Sequence, residues 1–151
     1  MKNITLIGVD IAKNKFQVHA EDVEGNKIHN KCLTRAKFYE YLEKIPACLI
    51  GIEACGTAHY WARHILSLGH QIKLINPIKV KAYVTRNKTD AKDAEAIAEA
   101  TRSKNVRSVA VKSIEQQHLT TLHRARSQLV KRRTQLVNHL RSLFAEYGLI
   151  A

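Results

Sequence analysis

Two segments of the chain repeat one pattern, Leu6-Ile7-Gly8-Val9-Asp10 and Leu49-Ile50-Gly51-Ile52-Glu53: an apolar run with a glycine two places before a closing carboxylate. If the two runs are parallel neighbours in a sheet, their C-terminal ends set Asp10 and Glu53 side by side at the edge where α/β folds bind ligands. A single acid at a strand end commonly does no more than meet solvent, but the duplication weighs against that reading here. A buried carboxylate pair needs a cation or a proton. A second pair, Asp90 and Asp93 within Lys88-Thr89-Asp90-Ala91-Lys92-Asp93-Ala94, is three residues apart and falls on one helix face. Taken alone, either aspartate is better explained as a helix cap meeting the positive end of the macrodipole. Together the four acids make an all-oxygen donor set of the kind taken by Mg2+ and Mn2+. Two such ions about 4 Å apart stabilise both the attacking and the leaving oxygen in phosphodiester cleavage. Lys13 near the first pair, and Lys79, Lys81, Arg86, Lys88 and Lys92 around the second, are candidates for holding phosphates, with a solvated basic surface as the plainer account of any one of them.

Positioning these groups requires strands and helices, and the hydrophobic pattern supplies both. Residues 4–33 read as three short strands in a meander: Ile4 to Val9 is an apolar run with Thr5 as its one hydroxyl, Phe16, Val18 and Ala20 alternate with polar residues, and Gly25-Asn26 marks a tight turn before Ile28 and Cys32 resume the alternation. The period then changes. Phe38, Tyr41, Leu42 and Ile45 fall at helical spacing up to Pro46, Cys48 to Ile52 is a second apolar run, and Trp61, Ile65 and Leu68 mark a helix ending at Gly69. Gln71 to Ile75 reads as a further strand broken by Asn76-Pro77, which predicts a parallel pair joined by a crossover helix. Asp90 to Thr101 is Ala-rich and helix-favouring.

The stretch Ile114 to Tyr147 is a helix of another character. Its positions 119, 122, 126, 129, 133, 136, 140, 143 and 147 step by three and four and are apolar except for Arg126 and Arg133, which makes a coiled-coil-like seam. Val130, Val137 and Phe144 widen the stripe toward more than one neighbour. An arginine in such a seam needs an acidic partner, a phosphate, or an escape to solvent at the seam edge. Continuous from Ser113 to Tyr147, the helix is roughly 50 Å long at 1.5 Å per residue and is expected to protrude from the preceding domain. The predicted organisation is an α/β domain over residues 1–112 and a helical extension over 113–151.

At 151 residues with 45% hydrophobic content, the chain is one domain long and able to close a core. The balance of 25 Lys and Arg against 13 Asp and Glu leaves +12, which favours a polyanionic partner. Residues 71–151 hold 16 of the basic groups against 6 acidic ones, so the basic surface belongs to the C-terminal half. No apolar run approaches the roughly 20 residues that span a bilayer, and Asp10 interrupts the first run too early for a signal peptide, so a soluble intracellular protein without a membrane partner is expected. Cys32, Cys48 and Cys55 are odd in number and unpaired in spacing, as reduced thiols are. Cys48, Cys55 and His59 lack the CxxC pair and fourth ligand of a zinc site. Cys55 as a nucleophile with His59 as base is a rival enzyme class without an oxyanion-hole motif to support it. Neither GxGxxG nor GxxxxGK[ST] occurs, and Ala12-Lys13 lacks the glycine of an actin-like ATPase loop. The non-enzyme rival is a nucleic-acid-binding, oligomerising module with vestigial acids.

The segments Ile7-Gly8-Val9-Asp10-Ile11-Ala12-Lys13, Ile52-Glu53-Ala54-Cys55-Gly56 and Lys88-Thr89-Asp90-Ala91-Lys92-Asp93-Ala94 resemble the amino-terminal domain of the DEDD transposases of Piv/MooV type, and the likeness covers nearly the whole chain. The resemblance implies an RNase H-like, RuvC-like mixed sheet with flanking helices followed by a long coiled-coil helix. It makes Asp10, Glu53, Asp90 and Asp93 the catalytic, metal-binding residues, with two Mg2+ or Mn2+ ions as cofactors. It further implies DNA as partner, with a structured guide RNA in some relatives, homo-oligomerisation through the long helix, and a bacterial cytoplasmic, nucleoid-associated setting. Family members also carry a carboxy-terminal domain with a serine nucleophile, for which no residues follow Ala151, so the expectation is an incomplete recombinase.

Overall fold

A computed structural model describes residues 4–84 and 89–150. Arg86 and Lys88 lie outside the described residues. The chain divides into two compact units, Met1–Val111 and Lys112–Ala151.

The first unit opens with the predicted meander: β1 (Leu6–Ile11), β2 (Lys15–Glu21) and β3 (Lys27–Thr34). Its second turn is closed by the Asp22 carboxylate, which accepts from the backbone N–H groups of Glu24 and Asn26 at 3.0 and 2.8 Å, and by Gly25 at φ 85°. The chain continues through α1 (Arg35–Lys44), β4 (Leu49–Glu53), α2 (Ala58–Ser67) and β5 (Gln71–Ile75). Asn76-Pro77 ends β5 as expected, but the residues beyond it form α3 (Pro77–Val80) and a 3-10 turn, Lys81–Tyr83. Asn76 caps α3 by accepting from Ile78 N–H at 2.9 Å, and Pro77 takes the first helical position, where it has no N–H to lose. Then come α4 (Asp90–Arg102) and β6 (Ser108–Val109), the latter too short to carry a readable alternation.

The six strands lie in the order β3-β2-β1-β4-β5-β6. β1, β4 and β5 are parallel and the remaining pairs antiparallel, with Gly8 opposite Gly51 and Val9 opposite Ile52. One face carries the larger core: Ile7, Val9, Phe16, Val18, Ile50 and Ile52 meet Phe38 and Leu42 of α1 and Trp61 and Ile65 of α2. Phe16 stacks on Phe38 at 4.7 Å, and Trp61 meets both edge-on at 4.8 and 5.1 Å. Each fully buried phenylalanine is worth roughly 1.5–3 kcal/mol over exposure. The other face receives α4, whose Ala94, Ile97, Ala98 and Thr101 are buried at helical spacing.

The second unit is α5 (Ile114–Glu146), 33 residues started by a reciprocal capping box between Ser113 and Gln116. Its apolar stripe, including Leu119, Leu122, Leu129, Leu136, Leu140 and Leu143, is exposed, as are Arg126 and Arg133. No helix among the described residues is long and apolar enough to cross a membrane.

Candidate active site

The site begins with the absence of two side chains. Gly8 and Gly51 sit opposite each other on β1 and β4, and α4 lies directly on them. A Cβ on Gly8 would come within 2.3 Å of the Ala94 carbonyl oxygen and 2.4 Å of the Ala98 nitrogen, and one on Gly51 within 1.7 Å of Thr101 Oγ1. Because strand side chains alternate, Asp10 and Glu53, two residues on, share the face of the glycines and reach past the start of the helix. There they meet Asp93. These three acids line a cavity of about 120 Å³ together with Lys81 and the apolar wall of Pro77, Val80 and Val84.

Burial, followed by the charges of Asp93, Asp90 and Glu53, pushes the Asp10 carboxyl above its ordinary value of 3.8, while the Ile11 N–H works in the opposite direction. Asp93 Oδ1 is buried and has no hydrogen-bond partner, an arrangement that ordinarily costs free energy unless a cation or donor meets it. Hard oxygen donors around a small cavity suit a divalent ion. Yet no group of three His, Cys, Asp or Glu side chains among the described residues is arranged to hold a metal ion as it stands, so the acids share a cavity and not a finished coordination shell.

Asp90 departs from expectation. It is exposed and stands outside the lining of the cavity, although its charge reaches Asp10. A spacing of three residues put both aspartates on one helix side, but the first turn is held with only the second against the sheet. Neither of them caps the helix: Thr89 does, its hydroxyl accepting from Lys92 N–H at 3.3 Å. Lys81 lines the cavity, Lys92 is half-buried in the first turn of α4, and Lys13 and Lys79 are exposed. Arg126 and Arg133 belong to α5. The imagined zinc set does not assemble, because Cys48 precedes β4 and Cys55 follows it, which puts them at opposite sheet edges. The buried Cys48 Sγ lies 3.8 Å from His70 Nδ1, and burial raises its thiol to about 11.

What fixes α4 over the glycines is a polar network with no signal in the sequence beyond the alternation of β2. Asn30 Nδ2 donates to the Ala91 carbonyl at 2.8 Å and to His19 Nδ1 at 3.2 Å, and Asn30 Oδ1 accepts from Gln17 Nε2 at 2.5 Å. With Nδ1 accepting, His19 Nε2 donates to Glu21 at 3.1 Å, and Glu21 also pairs with Arg102 at the far end of the helix. Lys73 donates to the carbonyls of Thr101 and Ser103 at 2.9 and 2.8 Å, closing the negative end of the helix dipole. Asn30→Ala is expected to cost about 1–3 kcal/mol by stranding the buried His19 ring nitrogen and removing the tie to the Ala91 carbonyl. It should also speed amide exchange in the first turn of α4. Urea denaturation and residue-resolved exchange check both, and unchanged exchange in that turn would show that the network does not position the aspartates.

A family model of the IS110-type DEDD transposases, described as a transposase, matches residues 7–148. The chain belongs to this transposase family. A probable family 20 transposase of Pseudomonas aeruginosa is 48% identical over 99% of the chain, and the transposase for insertion sequence element IS1111A of Coxiella burnetii is 42% identical over 99%. The transposase for element IS1328 of Yersinia enterocolitica is 40% identical over 99%. The aligned region is 44%, 41% and 45% of those proteins respectively, so the chain spans less than half the length of these relatives. Among solved structures, Thermus thermophilus RuvC in complex with a Holliday junction substrate aligns at TM-score 0.50 and 12% identity, over 70% of this chain and 99% of that one. A second RuvC structure from T. thermophilus aligns at TM-score 0.50 and 14% identity, over 69% and 99%. The fold of the chain is thus RuvC-like, an RNase H-like mixed sheet with flanking helices.

Proposed function

We propose that this chain supplies the metal-dependent centre for DNA strand cleavage and transfer in transposition. The observation that carries the reading is the convergence of Asp10, Glu53 and Asp93, from two parallel strands and a helix, on one small cavity, with a buried Asp93 oxygen left unpartnered. Membership of a transposase family supports it. In this reading Asp10 and Glu53 would hold two Mg2+ or Mn2+ ions, with Asp93 and Asp90 completing the donor set. Divalent ions so held supply Lewis-acid stabilisation of the phosphate oxygens. Lys81, at the mouth of the cavity, and Lys13, Lys79, Arg86, Lys88 and Lys92 hold the DNA backbone. The exposed stripe of α5 pairs with a second copy of the chain, and Arg126 and Arg133 leave that seam to meet nucleic acid. A structured guide RNA is a further partner compatible with the +12 charge.

A second reading, a binding and oligomerising module without catalysis, has one observation in its favour: among the described residues no acid cluster is arranged to hold an ion as it stands. Calorimetric titration of Mn2+ separates the two. Binding by the wild-type chain that disappears in an Asp10→Asn, Glu53→Gln double variant of unchanged circular dichroism is the expected result. Equal binding in both would remove these acids from the metal site. Wild-type binding of nucleic acid in chelator, with no Mn2+ binding under any condition, would favour the module.

A further inference from the structure

The face of the sheet opposite α4 carries a feature that the carboxylate site does not use. β3 runs parallel to β1 through two antiparallel steps, with Thr34 opposite Lys15 and Asp10 opposite Gln17, so α1 starts at the same sheet edge as the acids. α2 starts at Ala58, shortly after Glu53 leaves that edge. The first turns of these helices bring Arg35, Tyr39 and Tyr60 together over Trp61, the one tryptophan of the sequence. The Arg35 guanidinium lies 5.7 Å from the Tyr60 ring centroid and 5.0 Å from that of Trp61. The Tyr39 and Tyr60 hydroxyls are 2.6 Å apart, and Tyr39 lies against both Trp61 and His64 at 4.7 and 4.8 Å.

The core requires Trp61, which is fully buried, but not Tyr60, which is 47% exposed with its ring edge-on to the indole. Two polar atoms of this cluster, Trp61 Nε1 and His64 Nε2, are buried without a hydrogen-bond partner. Lys13, Lys15 and Lys37 are exposed at or beside the same edge. A half-exposed aromatic ring held stiffly by its neighbours, with a guanidinium over it and lysines around it, has the chemistry that captures a flat π system carrying a phosphate. A base inside a duplex is stacked on both sides and has no free face to offer.

We propose that Arg35, Tyr39 and Tyr60 form a stacking subsite for an unpaired nucleotide, the base on the Tyr60 ring and its phosphate on Arg35, on nucleic acid held at the carboxylate edge. The subsite rests on the reading that the chain acts on nucleic acid but does not depend on metal. It selects single-stranded over paired segments, as strand separation near a cleavage point would require.

The test uses the whole chain in chelator with fluorescently labelled 12-nucleotide oligothymidylate, oligouridylate and a 12-base-pair duplex, reading anisotropy together with the emission of Trp61. Tyr60→Ala is expected to weaken single-strand binding roughly tenfold, the size of one lost base–aromatic stack, and to leave duplex binding unchanged. Tyr60→Phe should bind as wild type, and Arg35→Ala should lower the salt slope by about one. Saturating oligonucleotide should change Trp61 emission in the wild type and not in Tyr60→Ala. A loss confined to oligothymidylate assigns the subsite to DNA, one confined to oligouridylate to RNA, and each supports it. Wild-type affinity in a folded Tyr60→Ala, an equal loss on the duplex, or no binding of either single strand overturns it. Because the binding test needs no metal, a loss in Tyr60→Ala together with failed Mn2+ binding would remove only the catalytic reading.

Discussion

Gly8→Ala is expected to destabilise the sheet unit by about 3 kcal/mol or more, at or beyond the upper end of ordinary overpacking. At about 4 °C per kcal/mol for a unit of this size, that is a fall in Tm of roughly 12 °C. The new methyl would meet the Ala94 carbonyl oxygen at 2.3 Å and the Ala98 nitrogen at 2.4 Å, and these are backbone atoms in the middle of a helix that cannot rotate aside. Ala98→Gly removes only the contact at 2.8 Å and should not rescue the variant. Gly51→Ala is the informative contrast. Its nearest obstacle, at 1.7 Å, is the Thr101 hydroxyl, so Thr101→Ala should restore part of the lost stability. Thermal denaturation of the single and double variants checks the pattern. If Ala98→Gly rescued Gly8→Ala as well as Thr101→Ala rescues Gly51→Ala, α4 would not be seated backbone-to-backbone on β1.

Asp10→Asn should have opposite effects on stability with and without metal. In chelator at neutral pH the variant is expected to be the more stable protein, since it removes a charge that burial and three acids disfavour. The sign follows from proton linkage. The folded-state pKa of Asp10 lies above 3.8, so the folded protein binds the proton more tightly than the unfolded chain does. That contribution is fully present below pH 3.8 and is lost as pH rises through the raised value. The advantage of the asparagine variant should therefore shrink on acidification toward pH 3.8. With Mn2+ at a hundred times its Kd, the wild type gains about 2.7 kcal/mol and the variant little, so the order of melting temperatures reverses. On the proposed function, metal-dependent strand cleavage by the full-length protein should fall roughly 1,000-fold, because the lost electrostatic stabilisation is several kcal/mol at 1.36 kcal/mol per factor of ten. A variant less stable than wild type in chelator, or one that Mn2+ stabilises equally, would detach Asp10 from both the crowding and the metal.

The repeated glycine and carboxylate of the two strand ends are visible in the sequence, because buried strands announce themselves as continuous apolar runs. The crossover helix predicts the parallel pairing of β4 with β5, whereas the pairing of β1 with β4 stands there only as a condition. What the glycines are for was not visible. Their role needs Ala94, Ala98 and Thr101 of a helix some 40 to 90 residues away, and no local period encodes that approach. The same limit hid Asn30, whose one decisive bond crosses 61 residues. It also hid the inequality of Asp90 and Asp93, since spacing places residues on a helix side but not at a depth. Thr89 is not distinguishable as the cap in the sequence, because the aspartates that follow it share its capping chemistry. The short α3 and β6 lie below the length at which periodicity can be counted.

The borders of the sheet have a further consequence. One border strand, β3, is long, but it exposes Lys27 and Lys31 and loses register with β2 between Ala20 and Glu21. The other, β6, offers two residues. Charge, irregular pairing and brevity are the devices that stop a foreign strand from zipping onto an open border. Many copies of this chain brought close together along one polyanion would therefore keep separate sheets, and local crowding at a crowded target would not convert into fibrous aggregation.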